Sequence, residues 1–397
     1  MNNQILIWAR ETAGLTLEVA SQKLGINHTK TMTAAERLAA MEAGQTEPSR
    51  SLLLKMSQQY RRPLVTFYMG ATPRNSVRLE DFRNIPDRDA GSDALIAAMV
   101  RDVRSRQTVV RELMLDDEET LPLPFVASKT ARDGVKAVVA SIRQTLGVSL
   151  AEYRSQATPE AGFTLLRSKA EVAGIFVLLI GNLGSHHTAI DAEAFRGFAL
   201  ADDVAPFVVI NDQDARTAWT FSLMHELAHI WLGASGVSGK VSDQTVEKFC
   251  NDVASEFLLP PDELALMNVG LQTTQESAAR SISDFARQRH LSSTMVAYNL
   301  ARAGLITNEM YLALAGWFRS LWRRNRDLQK EKQKDNDGPN YYVVRRHRLG
   351  RALLDVVARS LSEGTLSPTK AGQILGVKPR NVAPLLNDVR SFGGRAA

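Results

Sequence analysis

The sequence predicts an α+β chain, mostly helical, with an N-terminal helix-turn-helix bundle, a middle domain built on a small mixed sheet, and a helical C-terminal region. Three observations carry this. At 397 residues the chain exceeds the usual size of one core, so two or three domains are expected. Strand signals are confined to one middle stretch, residues 173–211. Elsewhere apolar residues recur at helical spacing between Ser or Thr caps and terminating glycines.

The opening segment, residues 1–70, places Ile5, Leu6, Trp8 and Ala9 on one face, followed by Gly14 and by Thr16 as the cap of "LEVASQKLG". Gly25 ends that helix, and Ser21, four residues earlier, is small enough for two short helices to cross closely, as a helix-turn-helix requires. "AAERLAAMEAG" and "PSRSLLLKMSQQY" add further helices. Residues 71–150 read as a linker, rich in Pro, Arg and Asp as far as Ser92, and then a helical spacer.

Residues 151–265 carry the strands: "GIFVLLIG", "FRGFALAD" and "PFVVIN", the last running into the turn "NDQDA". An apolar helix follows at once, and a second, from about Asp243 to Leu259, stops at Pro260 and Pro261. A helical extension is expected over 266–325, a polar mixed-charge linker over 326–340, and a helical C-terminal domain over 341–397. In that last domain Ser367 caps, Pro368 takes the first helical position, and Gly372 precedes Gly376 by four, repeating the device of Ser21 and Gly25. "RRHRLGR" gives the tail a basic surface.

Composition narrows the chemistry. The lone cysteine, Cys250, excludes a disulfide framework and a thiolate zinc cluster, so any metal must be held by His, Asp or Glu. A net charge of +5 permits nucleic-acid contact without requiring it. The N-terminus has no basic run ahead of an apolar one, and "AGIFVLLIG" is too short to span a bilayer. A soluble cytoplasmic protein without a membrane partner is expected.

The stretch "MHELAHIWLG" carries the chemistry. Residues four apart share a helix face, so His225 and His229 can each offer a ring nitrogen to one ion, while Glu226 flanks that ion without binding it. This is the arrangement of a metalloprotease helix, in which two His hold Zn²⁺ and the Glu takes a proton from water. A core helix carrying two His by coincidence would have to bury both without partners, which is costly. A third ligand is expected on the next helix. Glu247 is the choice, with Asn251 on the same face four residues on, and Asp252 and Glu256 are fallbacks. Zn²⁺ suits two nitrogens and a carboxylate, although Mn²⁺ fits the same set. A substrate would add as a strand on an edge such as "PFVVIN". His187, beside His186 in "GSHH", and Arg196 in "FRG" are candidates to support the site or contact substrate.

In this order, and behind an N-terminal helix-turn-helix followed by "RRPL" and "DFR", the stretches "FRGFALAD", "PFVVIN", "HELAHIWLG" and "EKFCNDVASEFLLP" resemble the ImmA/IrrE family of metallopeptidases. The resemblance covers roughly residues 5–85 and 160–265. It implies a gluzincin-like fold, ligands His225, His229 and Glu247, and Glu226 as catalytic base. It also implies a repressor protein as substrate, cleaved to induce stress-response or mobile-element genes.

The first unit resembles Xre-type helix-turn-helix domains, whose recognition helix presents polar side chains to DNA. Lys30, Thr31, Thr33 and Arg37 are the candidates here, beside Asn27 and His28. The alanine-rich segment that follows departs from the pattern, so DNA and a repressor of similar fold are both expected partners. The opposing reading is a non-catalytic DNA-binding regulator, or a toxin–antitoxin component, with a structural or sensory metal. Glu226 argues against it, because a structural site needs no base between its histidines. The sequence leaves the oligomeric state open.

Overall fold

The computed structural model describes residues 2–73, 90–117, 120–185, 188–234, 236–237, 244–267, 274–333 and 340–392. The chain divides into two compact units, one of Met1–Val103 with Asn182–Ala194, the other of Arg104–Gly181 with Phe195–Ala397.

The first unit contains α1 (Asn3–Glu11), α2 (Leu17–Leu24), α3 (Ala34–Glu42) and α4 (Arg50–Tyr60), with the start of α5 (Ala90–Leu115). Each short helix is fixed at its start by a side chain. Thr16 accepts from the Val19 amide, Thr33 forms a capping box with Glu36, and Ser49 accepts from the Leu52 amide. Gly25 closes α2 in the left-handed region at φ 67°. Ile5, Leu6, Ala9, Ala20, Leu24, Leu38, Leu53, Met56, Tyr60 and Phe67 form the core. Within it, Arg10 of α1 grips Glu42 of α3 through two hydrogen bonds of 2.7 and 3.0 Å.

The second unit begins within α5 and continues through α6 (Val135–Leu146), α7 (Leu150–Arg154), α8 (Pro159–Val172), β1 (Phe176–Leu179), β2 (Gly197–Leu200) and β3 (Phe207–Ile210). Then come α9 (Arg216–Trp231), β4 (Gly236–Val237), α10 (Gln244–Leu258), α11 (Pro261–Leu264), α12 (Gln275–Gln288), α13 (Ser293–Arg302) and α14 (Asn308–Gln333). The last helices are α15 (Tyr341–Leu349), α16 (Arg351–Ser362), α17 (Pro368–Leu375) and α18 (Val382–Phe392). No helix among the described residues is long and apolar enough to cross a membrane.

The four strands lie in the order β1-β3-β2-β4, with β1 parallel to β3 and the other pairs antiparallel. This corrects the expected substrate edge. "PFVVIN" forms β3, whose two sides are taken by β1 and β2, so it has no open backbone to offer. The edge next to the site's own strands is β4, two residues in the glycine-rich segment after α9.

The core reaches beyond residues 151–265 on both sides. α6 contributes Val138, Val139, Ile142 and Leu146, and α12 to α14 contribute Ile282, Leu300, Leu314 and Phe318 to the same cluster as α9 and α10. The far half of α5 is no mere spacer: Gln107 donates to the Leu200 and Ala205 carbonyls, clamping the β2–β3 connection. α14 runs to Gln333, well into the stretch expected as a linker, because "RRNRDLQKEKQ" is built of good helix formers with no Gly or Pro. The remainder of that linker, 334–339, and most of the Pro-, Arg- and Asp-rich segment, 74–89, lie outside the described residues.

Candidate metal centre

α9 is buried almost all round, from Trp219 to Trp231, so it runs through the core instead of lying on its surface. Leu223, Met224, Leu227 and Ile230 are each fully buried, and a side chain of this kind contributes about 1.5–3 kcal/mol on burial. That packing offsets the cost of placing three polar groups on the same helix: His225, Glu226 and His229 are 6%, 1% and 4% exposed. Trp231 anchors the end of α9, stacking on Phe125 and donating from its indole to Ser141.

α10 packs along α9 and brings Glu247 to the two rings. The Nε2 atoms of His225 and His229 lie 3.1 Å apart, and Glu247 Oε2 and Oε1 approach them at 3.4 and 3.3 Å. Three donors about 2.0–2.1 Å from one ion in tetrahedral geometry would be about 3.3–3.4 Å apart, so the set has the size of a four-coordinate metal centre. Electrostatics agree. Burial alone would push His229 down, but hydrogen bonds with Cys250 and Glu247 and the charge of Glu226 overcome it and hold the ring up to about 11. Against its own burial, Glu247 is held down to about 2 by hydrogen bonds from both rings and by their charge. The carboxylates of Glu226 and Glu247 thus favour positive charge where the ring nitrogens converge.

The Glu226 carboxylate lies against the sheet, while its charge also reaches His229. A Cβ built on Gly197, the first residue of β2, would lie 2.9 Å from Glu226 Oε1 and 3.0 Å from the Val209 carbonyl. A side chain at this position would press on that carboxylate and on the β3 backbone. Reading the motif alone missed Gly197. Its signal was a glycine opening a strand, which often marks a close approach. Cys250 was also missed as a neighbour of His229, although it stands one turn from Glu247 on α10. Phe221 stacks on the His225 ring from the preceding turn.

The other candidates are not part of this group of three among the described residues. Asn251 is half-buried one turn beyond Glu247. Asp252 pairs with Arg302 of α13, and the charge of Glu256 acts on Arg143, so neither fallback carboxylate joins the histidines. Arg196 is largely exposed and stands 4.0 Å from Asp214. His187, with its neighbour His186, lies outside the described residues.

Residues 180–301 match the IrrE N-terminal-like domain of the M78 peptidase family. The matched stretch contains α9, α10 and three of the four strands, and with them every residue of the cluster. It supports the resemblance to the ImmA/IrrE family for this part of the chain and points to a metallopeptidase. The match does not extend to the N-terminal bundle. No curated protein and no solved structure matches the chain.

Proposed function

We propose that the chain is a zinc-dependent endopeptidase that cleaves a transcriptional repressor. The observation that carries this is the division of labour on α9: two rings converge with Glu247 on one point, while the carboxylate between them is buried beside a glycine that makes room for it. A purely structural ion would have no use for Glu226 in that place.

His225, His229 and Glu247 would hold Zn²⁺, which when bound polarises the scissile carbonyl and acidifies water. Glu226 takes the proton of the attacking water and delivers it to the nitrogen of the leaving amine. Burial keeps that carboxylate out of bulk solvent, and Gly197 sets its position. The outer edge of β4 offers backbone groups to a substrate strand, replacing the expected role of β3.

The test is to incubate the purified chain, wild type and Glu226→Gln, with soluble extract of its own cell, measure bound zinc in both, and map new protein N-termini by mass spectrometry. New termini within a DNA-binding repressor, seen with wild type alone at equal zinc, are expected. Equal cleavage by both proteins would remove Glu226 from the mechanism. No cleavage by zinc-loaded wild type would leave the non-catalytic reading.

A further inference from the structure

The chain contains a second helix-turn-helix that the peptidase reading does not use. Residues 341–397 hold ten Lys and Arg against three Asp and Glu, whereas the rest of the chain holds 38 against 40. The whole positive excess of the protein therefore sits in this tail.

Its geometry is that of two helices joined by a tight reversal. Ser367 caps α17 by accepting from the Lys370 amide, and Gly376 ends it at φ 60°, ψ 38°. A Cβ on Gly372 would lie 2.7 Å from the Val377 carbonyl, so the chain folds back directly over α17. One turn at Pro379–Asn381 then leads into α18. Leu354, Val357, Ile374, Leu375, Leu385 and Leu386 hold the helices together.

The cations divide into two groups. The basic run read as a surface is largely committed to the fold: Arg345 donates to the Leu375 and Gly376 carbonyls, Arg346 to the Leu385 carbonyl, and Arg348 pairs with Asp212. Arg351 and Arg359 pair with Asp355 and Asp117. The exposed side chains of Lys370, Lys378 and Arg380 make no such pairs among the described residues, and all three lie on α17 or the turn before α18. Thr369, Gln373, Lys378, Arg380 and Asn381 share one concave surface of about 740 Å³.

The N-terminal unit has the same turn, but its candidates Thr33 and Arg37 are committed to the fold. Thr33 and Glu36 close a capping box, and Arg37 donates to the Asn27 carbonyl. Behind them α3 offers Leu38, Ala39, Ala40 and Met41.

We infer that the C-terminal helix-turn-helix, α17 to α18, is the surface that binds duplex DNA. Lys370 and Lys378 neutralise phosphates, and Arg380 and Asn381 stand at the leading end of α18, where such a helix meets base edges in the major groove. Neither the turn nor the cations depend on the metal centre, so the inference stands apart from the peptidase reading.

The experiment is fluorescence anisotropy of the full chain on a random-sequence 30-bp DNA duplex across a salt series. Wild type is expected to bind with a steep salt dependence. Lys378→Glu/Arg380→Glu should weaken binding at least tenfold at 100 mM salt and reduce the slope of log K against log salt by about two. Lys370→Glu alone should reduce it by about one. Lys30→Glu in the N-terminal unit should change neither, and circular dichroism melting should match wild type throughout. The inference is overturned if Lys30→Glu, and not the C-terminal variants, abolishes binding. It is equally overturned if wild type does not bind the duplex, or binds heparin or single-stranded RNA of equal length more tightly.

Discussion

Two buried clusters of charge in this protein look alike in composition and differ in design. In the N-terminal bundle, the Arg10 guanidinium meets both oxygens of Glu42 and donates a further bond to the Leu15 carbonyl. Each of the three guanidinium nitrogens donates to an acceptor within the pair or the backbone beside it. In the second unit, the Nε2 atoms of His225 and His229 and the carboxylate of Glu247 converge on one another, 3.1 to 3.4 Å apart. The first cluster balances its own charge and needs nothing else. The second sets two imidazole nitrogens and a carboxylate around one point, a donor set that a metal cation could share and that a purely structural tie does not require.

The comparison breaks first, and most visibly, at the metal centre. Glu226→Gln should retain the metal and lose about 10²- to 10⁴-fold in turnover, because proton transfer is removed while the ligands stay. His229→Ala and Glu247→Gln should lose metal and turnover together. A chelator should do the same reversibly, with activity restored by Zn²⁺. If Glu247→Gln binds zinc as tightly as wild type, the second cluster is not the site.

Arg10 supplies the contrasting case. Arg10→Met leaves Glu42 buried without its cation and should destabilise the N-terminal unit by about 3–5 kcal/mol, read by urea denaturation. The paired change Arg10→Met/Glu42→Leu should recover most of that loss, since an apolar pair can replace a self-satisfied ion pair. No apolar replacement could restore function at the metal centre. Failure of the paired variant to recover stability would mean that Arg10 and Glu42 do more than tie α1 to α3.

A smaller effect is expected at Gly197. Its alanine variant presses the Glu226 carboxylate and the Val209 carbonyl aside by a fraction of an ångström, and since a displacement near 1 Å in a catalytic group costs about 10²-fold, a loss of several-fold is expected. Zinc content should be unchanged and kcat should fall more than KM rises. Turnover at the wild-type level, with only a lower melting temperature, would make Gly197 a packing residue.

What the sequence made legible follows from how local each feature is. The two-histidine helix, the caps at Thr16 and Ser367 and the stops at Gly25 and Gly376 depend on residues within a turn or two, and their patterns are readable in one dimension. Glu247 came within reach because its helix has one acid on the face that the apolar residues leave free near its start. Strand order was not legible: "PFVVIN" is as apolar as an edge or a centre would allow, and only the pairing of β1 and β2 on its two sides decides. β4 is two residues long and carries no periodicity at all. The cations of "RRHRLGR" read as surface because nothing local shows that Asp212 and three backbone carbonyls, far away in sequence, are waiting for them.

The smallest predicted effect discriminates between carboxylates on α10. Asp252 lies five residues beyond Glu247, on a different side of the helix, where it meets Arg302 of α13. That pair is only partly buried, with the Arg302 side chain 39% exposed, so solvent screens it and its loss is worth about 0.2–1 kcal/mol. Asp252→Asn should therefore leave zinc content and turnover within twofold of wild type and lower the melting temperature slightly. The same substitution at Glu247 removes a charge of equal size but takes it from the point where two rings converge. If Asp252→Asn empties the site and Glu247→Gln does not, α10 is rotated relative to α9 from the arrangement described, and the ligand must be reassigned.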